Sequence, residues 1–210
     1  MAHNFICGQY TSNTINEKRL KGYREEDGVS KNSIVPTFFS GRFFIDNWRW
    51  AGVPFYIRSG KRLKRRVTEI VIEFKQPPLR LFGRTCDTIE PNILRLAIQP
   101  EEEIVLNIGI KYPHITHKLF PADMTFNYNE TFSTEKHEAY ERLILDCLKG
   151  DLTLFARQDG IESMWDTVDP IIAFQETLGK DKIHVYKSGT WGPEEAHELL
   201  QQSGHKWYTE

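Results

Sequence analysis

Cysteine is scarce. Cys7, Cys86 and Cys147 are odd in number and far apart in a chain of 210 residues, which excludes a disulfide framework and a thiolate metal site and leaves ordinary thiols. Long apolar runs are missing as well: none approaches the roughly 20 residues that a membrane-spanning helix needs. The opening, Met1-Ala-His-Asn4, has neither the basic nor the apolar part of a signal peptide, so no membrane association and a cytoplasmic location are expected. Nor does charge of one sign dominate. The formal net charge of −2 argues against a dedicated nucleic-acid binder and makes any basic cluster the property of one place. There is no strand, glycine-rich loop and helix in succession; Gly150-Asp151 and Gly160 punctuate helices rather than cradle a phosphate. Internal repeats and low-complexity tracts are also lacking. What remains is 40% apolar, enough for one sizeable core, and residues 1–210 are expected to form a single domain.

Along the chain, residues 1–33 are polar, with Gly8, Gly22 and Gly28 among charges, and are expected to be an irregular lead-in. The start is abrupt, as though cut from something longer. From Val35 the aromatic alternation of Phe39, Phe43 and Ile45 predicts a strand. A second is predicted from Val53, Phe55 and Ile57, and a third from Thr68, Ile70, Ile72 and Phe74, with Glu69 and Glu73 on its other face. Pro77-Pro78 closes the third. Residues 93–99 and 103–111 read as a hairpin around Pro100-Glu101-Glu102, with Gln99 facing the same way as Arg95. Met124, Phe126, Tyr128 and Phe132 suggest one more strand. The period then lengthens to about 3.6 residues. Tyr140, Leu143, Ile144, Cys147 and Leu148 mark the inward stripe of a helix over residues 136–148. Trp165, Val168, Ile172 and Phe174 do the same over 160–178, where Pro170 is expected to kink or split the helix. A short strand over 183–186 and a helix opened by Pro193 and closed by Gly204 come last. Strands first and helices after predict an α+β fold: a large mixed, mostly antiparallel sheet with helices on one face. The other face is left for a partner subunit.

The stretch that asks for a ligand is Val53 to Arg66. An apolar strand ends at Ser59-Gly60 and delivers Arg58, Lys61, Arg62, Lys64, Arg65 and Arg66 to one turn with no acid among them. Gly60 lets backbone approach closely, so the turn suits an anion. A solvated basic hairpin end accounts for the same charges. Other candidates are weaker. His114 and His117, three apart in an extended segment, point to opposite sides and read as surface or packing residues rather than metal ligands. His137, His184, His197 and His205 have no carboxylate at a recognisable spacing, so no general base is assigned. Glu101, Glu102 and Glu103 read as a solvated turn. Trp48 and Trp50 beside the basic turn would allow RNA stacking, but a sheet core explains them more simply.

Several stretches together resemble the C-terminal domain of glucose-6-phosphate dehydrogenase. They are Gly8-Gln-Tyr10, Gly22-Tyr-Arg24, Asp46 to Phe55, Arg58-Ser-Gly-Lys61, Ile98-Gln-Pro100, Ala139 to Asp146 and Gly192-Pro-Glu-Glu-Ala196, spread from about Phe5 to Trp207. The resemblance implies a mixed, largely antiparallel sheet flanked by helices and used for dimerisation, as a homodimer or a dimer of dimers. It implies glucose 6-phosphate as ligand, with Lys61, Arg66 and Gln99 as substrate-binding residues. Arg66 offers a phosphate bidentate bonds, Lys61 a point charge, and Gln99 both donor and acceptor for sugar hydroxyls. Arg62, Lys64 and Arg65 remain solvated charges.

The resemblance also implies what this chain lacks. NADP is bound mainly by an N-terminal dinucleotide-binding domain absent from it, and that half carries the histidine and aspartate that take the anomeric proton. No catalytic residue is therefore expected in this chain, which by itself should be inactive; the complete enzyme would yield 6-phosphogluconolactone. Some members hold a second, structural NADP, and Arg58 matches one contact. Val67, Val71, Ala97 and Trp191 stand where those members are basic, so none is expected here. A polyanion-binding module and a purely structural dimerisation domain are the alternatives.

Overall fold

The computed structural model describes residues 4–76, 90–114, 119–132, 139–178 and 183–208. In chain order it contains β1 (Phe5–Thr11), β2 (Asn13–Ile15), β3 (Lys18–Leu20), β4 (Phe38–Phe43), β5 (Phe55–Gly60), β6 (Thr68–Glu73), β7 (Ile93–Gln99), β8 (Glu103–Lys111) and β9 (Leu119–Asn127). Then come α1 (Tyr128–Thr131), α2 (Ala139–Lys149), α3 (Gln158–Leu178), β10 (His184–Lys187) and α4 (Glu195–Gln201). Cys86, His117, His137 and the Pro77-Pro78 stop lie outside the described residues. The fold is α+β with mainly antiparallel pairing, as expected, and its strands are shared between two compact units, residues 1–65 with 146–210 and residues 66–145.

The first unit holds a sheet in the order β10-β1-β4-β5, antiparallel except for the parallel pair β1–β10. Residues 1–33 are thus no irregular lead-in: β1 is an inner strand of this sheet, and β2 with β3 forms a separate hairpin. The sequence signal was hidden because Phe5-Ile-Cys-Gly-Gln-Tyr does not alternate, and because one of its partners is remote. The bond from Thr11 Oγ1 to the Tyr186 carbonyl spans 175 residues. Gln9, although polar, is buried here because its amide donates to the carbonyls of Ser33 (3.0 Å) and Val35 (2.7 Å). Phe38, Tyr10, Tyr186 and Ala196 form the core, with Tyr23 and Leu63 packed against it. The Phe38 and Tyr186 rings lie 5.4 Å apart. Ala196, Leu199 and Leu200 recur at helical spacing and bury one side of α4.

The second unit is an antiparallel meander, β6-β7-β8-β9. Arg95 bonds Glu103 at 3.2 Å and lies 3.9 Å from Glu69, so one face carries an ion-paired row. Ile70, Ile72, Phe74, Ile110, Met124 and Phe126 are exposed. The expected strand through Phe132 stops at Asn127, whose side chain accepts from the backbone N–H groups of Asn129 (2.9 Å) and Glu130 (3.2 Å) and so starts the single turn α1.

The helices form where the 3.6-residue period placed them, and Pro170 sits inside one continuous α3. Their expected inward stripes need correction. Tyr140, Ile144, Leu148, Trp165, Val168 and Ile172 are exposed, Leu148 by 81%. Periodicity identifies which residues share a helix face but not what that face meets. Phe174 does pack, edge-on against Phe5 at 5.7 Å, and the neighbouring Gln175 is buried and donates to the Ile34 carbonyl at 3.2 Å.

Candidate functional site

The basic turn is held from below by the aromatic core. β5 ends at Gly60, where a side chain would begin 2.8 Å from the Phe38 ring, so only glycine lets strand and core approach this closely. The next peptides are tied on every side. The Lys61 N–H donates to the Thr37 carbonyl at 2.8 Å, and the Lys61 carbonyl accepts from the Tyr186 hydroxyl at 2.7 Å. The Arg62 carbonyl accepts from the Gly189 N–H at 2.7 Å, and the Lys64 N–H donates to the Thr190 carbonyl at 3.0 Å. Arg62 takes a φ of +53°, a left-handed conformation that a side chain disfavours and that persists here within this set of bonds.

Four of the six cations, Arg58, Lys61, Arg62 and Arg65, differ in what surrounds them. Arg62 meets Glu26 at 3.1 Å, and the Tyr10 hydroxyl donates to the same carboxylate oxygen at 3.3 Å. The carboxylate and the Tyr10 hydroxyl hold the Arg62 guanidinium above its usual range. Burial, followed by the charge of Glu26, pushes the Tyr10 hydroxyl up as well. Arg62 is therefore an ion-paired residue rather than the solvated charge expected. Arg58 faces the rings of Trp207 at 4.4 Å and Trp191 at 4.9 Å, and Arg65 lies 5.9 Å from Trp191. Lys61 is exposed, and among the described residues its ammonium has no partner.

Arg66 and Gln99 belong to the second unit and to one end of it. Arg66 stands two residues before β6, and Gln99, the last residue of β7, pairs with Thr68, the first residue of β6. Both side chains are exposed, and among the described residues neither has a hydrogen-bond partner. The register shifts between Thr68 and Glu69, a bulge that interrupts the alternation of β7 between Ala97 and Gln99. Gln99 is therefore not bound to share the direction of Arg95, because a bulge re-aims the residues beside it.

Sequence spacing missed two features of this site. Tyr186, in a segment where only a short strand was expected, supplies the hydroxyl bond to Lys61. His184 has a carboxylate partner after all: its Nδ1 lies 2.9 Å from Glu195 Oε1. These two residues, one in β10 and one in α4, are 11 apart, a separation that no helical or strand spacing encodes. Their best signal was the short alternating run His184-Val-Tyr-Lys187 just before Gly192-Pro. Among the described residues no group of three or more His, Cys, Asp or Glu is placed to hold a metal ion. Burial pushes the Cys7 thiol up to about 11, which leaves it protonated and unreactive at neutral pH.

Comparisons with known proteins bear on this geometry. The family model described as glucose-6-phosphate dehydrogenase, C-terminal domain, matches residues 1–208. A glucose-6-phosphate 1-dehydrogenase from Aggregatibacter actinomycetemcomitans is 42% identical over 205 residues, covering 98% of this chain and 40% of the relative. One from Treponema pallidum is 40% identical over 206 residues, again 40% of its length. Among solved structures, a glucose-6-phosphate dehydrogenase in complex with its substrate glucose 6-phosphate superposes with a TM-score of 0.84 at 30% identity, over 98% of this chain and 41% of that one. The glucose-6-phosphate 1-dehydrogenase of Mycobacterium avium gives 0.78 at 32% identity, over 100% of this chain and 41% of that one. The chain thus spans about 40% of the length of the curated relatives that it matches.

Proposed function

This chain belongs to the glucose-6-phosphate dehydrogenase C-terminal domain family, and from that premise we propose that residues 1–210 act as the substrate-facing and dimerising domain of an enzyme that oxidises glucose 6-phosphate to 6-phosphogluconolactone with NADP. The observation that carries the reading is the division among the cations of the basic turn. Arg62 is occupied by Glu26, whereas Lys61 sits on firmly bonded backbone with its ammonium unpartnered among the described residues. In this reading Lys61 gives a point charge to a phosphate or sugar oxygen. Arg66 grips the phosphate through two parallel N–H donors, and Gln99 donates to and accepts from sugar hydroxyls.

The NADP that accepts the hydride belongs to another region of the complete protein. The described residues offer no strand, glycine-rich loop and helix to cradle a dinucleotide pyrophosphate. The partly exposed His184–Glu195 pair links a residue of β10 to one of α4 and is read as a structural tie; in this proposal the base that removes the anomeric proton also lies outside this chain. The exposed apolar residues of β6 to β9 support assembly of two copies through that sheet. No helix among the described residues is long and apolar enough to cross a membrane; a cytoplasmic location is part of the proposal and rests on the family assignment.

In the complete protein, Lys61→Ala and Arg66→Ala are expected to raise KM for glucose 6-phosphate or lower turnover while the dimer persists. Unchanged kinetics would favour a purely structural domain. Residues 1–210 alone are expected not to reduce NADP with glucose 6-phosphate, and rates near those of the complete enzyme would overturn that expectation.

A further inference from the structure

We propose that Tyr186 is a positioning residue for Lys61: its hydroxyl, donating 2.7 Å to the Lys61 carbonyl, holds the peptide from which the lysine side chain is aimed, without itself touching substrate. The proposal rests on the reading of Lys61 as a substrate contact.

Tyr186 is 4% exposed, its ring packed 5.4 Å from that of Phe38 and 6.4 Å from that of Tyr10. Phenylalanine would fill the same space, so ring packing does not explain the hydroxyl. A buried hydroxyl must find a partner, and this one has its single proton directed at the peptide that carries the candidate ligand residue. Thr37 completes the arrangement. Its carbonyl accepts from the Lys61 N–H at 2.8 Å, its own N–H donates to the Gly8 carbonyl at 2.8 Å, and its hydroxyl lies 3.3 Å from that of Tyr186. The Thr37 carbonyl, 3.3 Å away, is the longer alternative acceptor for the Tyr186 proton.

The bond matters because the adjoining residue is strained. Arg62 is left-handed at φ +53°, and the peptide joining residues 61 and 62 keeps that orientation while Tyr186 holds the carbonyl on one side and Gly189 holds the Arg62 carbonyl on the other. Without the hydroxyl, that peptide relaxes toward the commoner negative φ at Arg62, and the Lys61 side chain leaves from a different direction. A lysine bonds through a flexible four-carbon arm, so the fixed end of the arm decides how much of its charge reaches one place. Burial, offset in part by the bond to Thr37, keeps the Tyr186 phenol above its usual range, so the donor proton persists through neutral pH.

The test is a double-mutant cycle in the complete enzyme. Tyr186→Phe is expected to raise KM for glucose 6-phosphate roughly 3- to 10-fold, the range of one lost hydrogen bond, with kcat changed less than about twofold and KM for NADP unchanged. In the Lys61→Ala background the same substitution should change nothing, because the residue being aimed is gone. An undiminished effect of Tyr186→Phe in that background would make its role generally structural and overturn the proposal, as would an unchanged KM in the single variant. If Lys61→Ala itself leaves KM unaltered, the substrate reading falls and this proposal with it; if only Tyr186→Phe is silent, the positioning role alone falls. Should the phenylalanine variant not fold, a fluorinated tyrosine at position 186 ionises at lower pH and keeps the ring. KM should then rise as that phenol loses its proton, and a flat profile would overturn the proposal.

Discussion

Arg58 and Trp207 are stacked, the guanidinium carbon 4.4 Å from the ring centroid, although 149 positions separate them in the chain. The Trp207 indole N–H also donates to the Ala196 carbonyl at 3.1 Å, so this residue, six positions beyond the end of α4, is tied to the helix and to the Arg58 side chain of β5 together. Trp207→Ala is expected to lower the unfolding free energy by about 1–2 kcal/mol, the sum of one cation–π contact and one hydrogen bond. Trp207→Phe should lose less, because it keeps a ring under Arg58. Urea denaturation of both variants checks the order.

The same stack bears on NADP. The Arg58 side chain is engaged by Trp191 and Trp207 and donates to the Trp191 carbonyl at 3.4 Å. A structural NADP would have to take Arg58 from these partners. Residues 1–210 should therefore show no large saturable rise in Tm with added NADP; such a rise would disprove this.

Neighbouring cations should separate by experiment. Arg62→Ala breaks the partly exposed ion pair with Glu26 and leaves the left-handed strain in place, because alanine keeps its Cβ, so stability is expected to fall by no more than about 1 kcal/mol. Its KM for glucose 6-phosphate should stay within twofold of the parent, against a clear increase for Lys61→Ala. A polyanion-binding module would behave otherwise, with affinity that falls steeply with salt and depends on Arg62, Lys64 and Arg65 as much as on Lys61.

Acid should loosen the tie between β10 and α4. Burial alone would push the Glu195 carboxyl up, but its own backbone N–H and His184 outweigh that and hold it below its ordinary value of 4.5. A carboxyl lowered on folding stabilises fully above 4.5, and its contribution is lost as pH falls through the lower folded value. The pair is partly exposed, so Glu195→Gln should cost a few tenths of a kcal/mol, at most about 1, at pH 7. That cost should be smaller at pH 3 than at pH 7. Equal losses at both pH values, measured by thermal unfolding, would contradict this account.

Local patterning was enough to reveal most of the strands and helices, the α+β class and the basic turn after β5. Alternation and helical periodicity are properties of neighbouring residues, and Gly60 between an apolar strand and a run of cations is visible without coordinates. Family motifs likewise marked Lys61, Arg66 and Gln99 by their own positions. Tertiary structure decided the rest: that Phe5 to Thr11 is an inner strand, that Arg62 is claimed by Glu26, that His184 meets Glu195, and that the stripes of α2 and α3 stay open. Each of these depends on contacts between remote segments. A side chain's type and spacing fix which face it shares, but the partner on that face is chosen only when the whole chain closes, as when Tyr186 reaches across 125 positions to the carbonyl of Lys61.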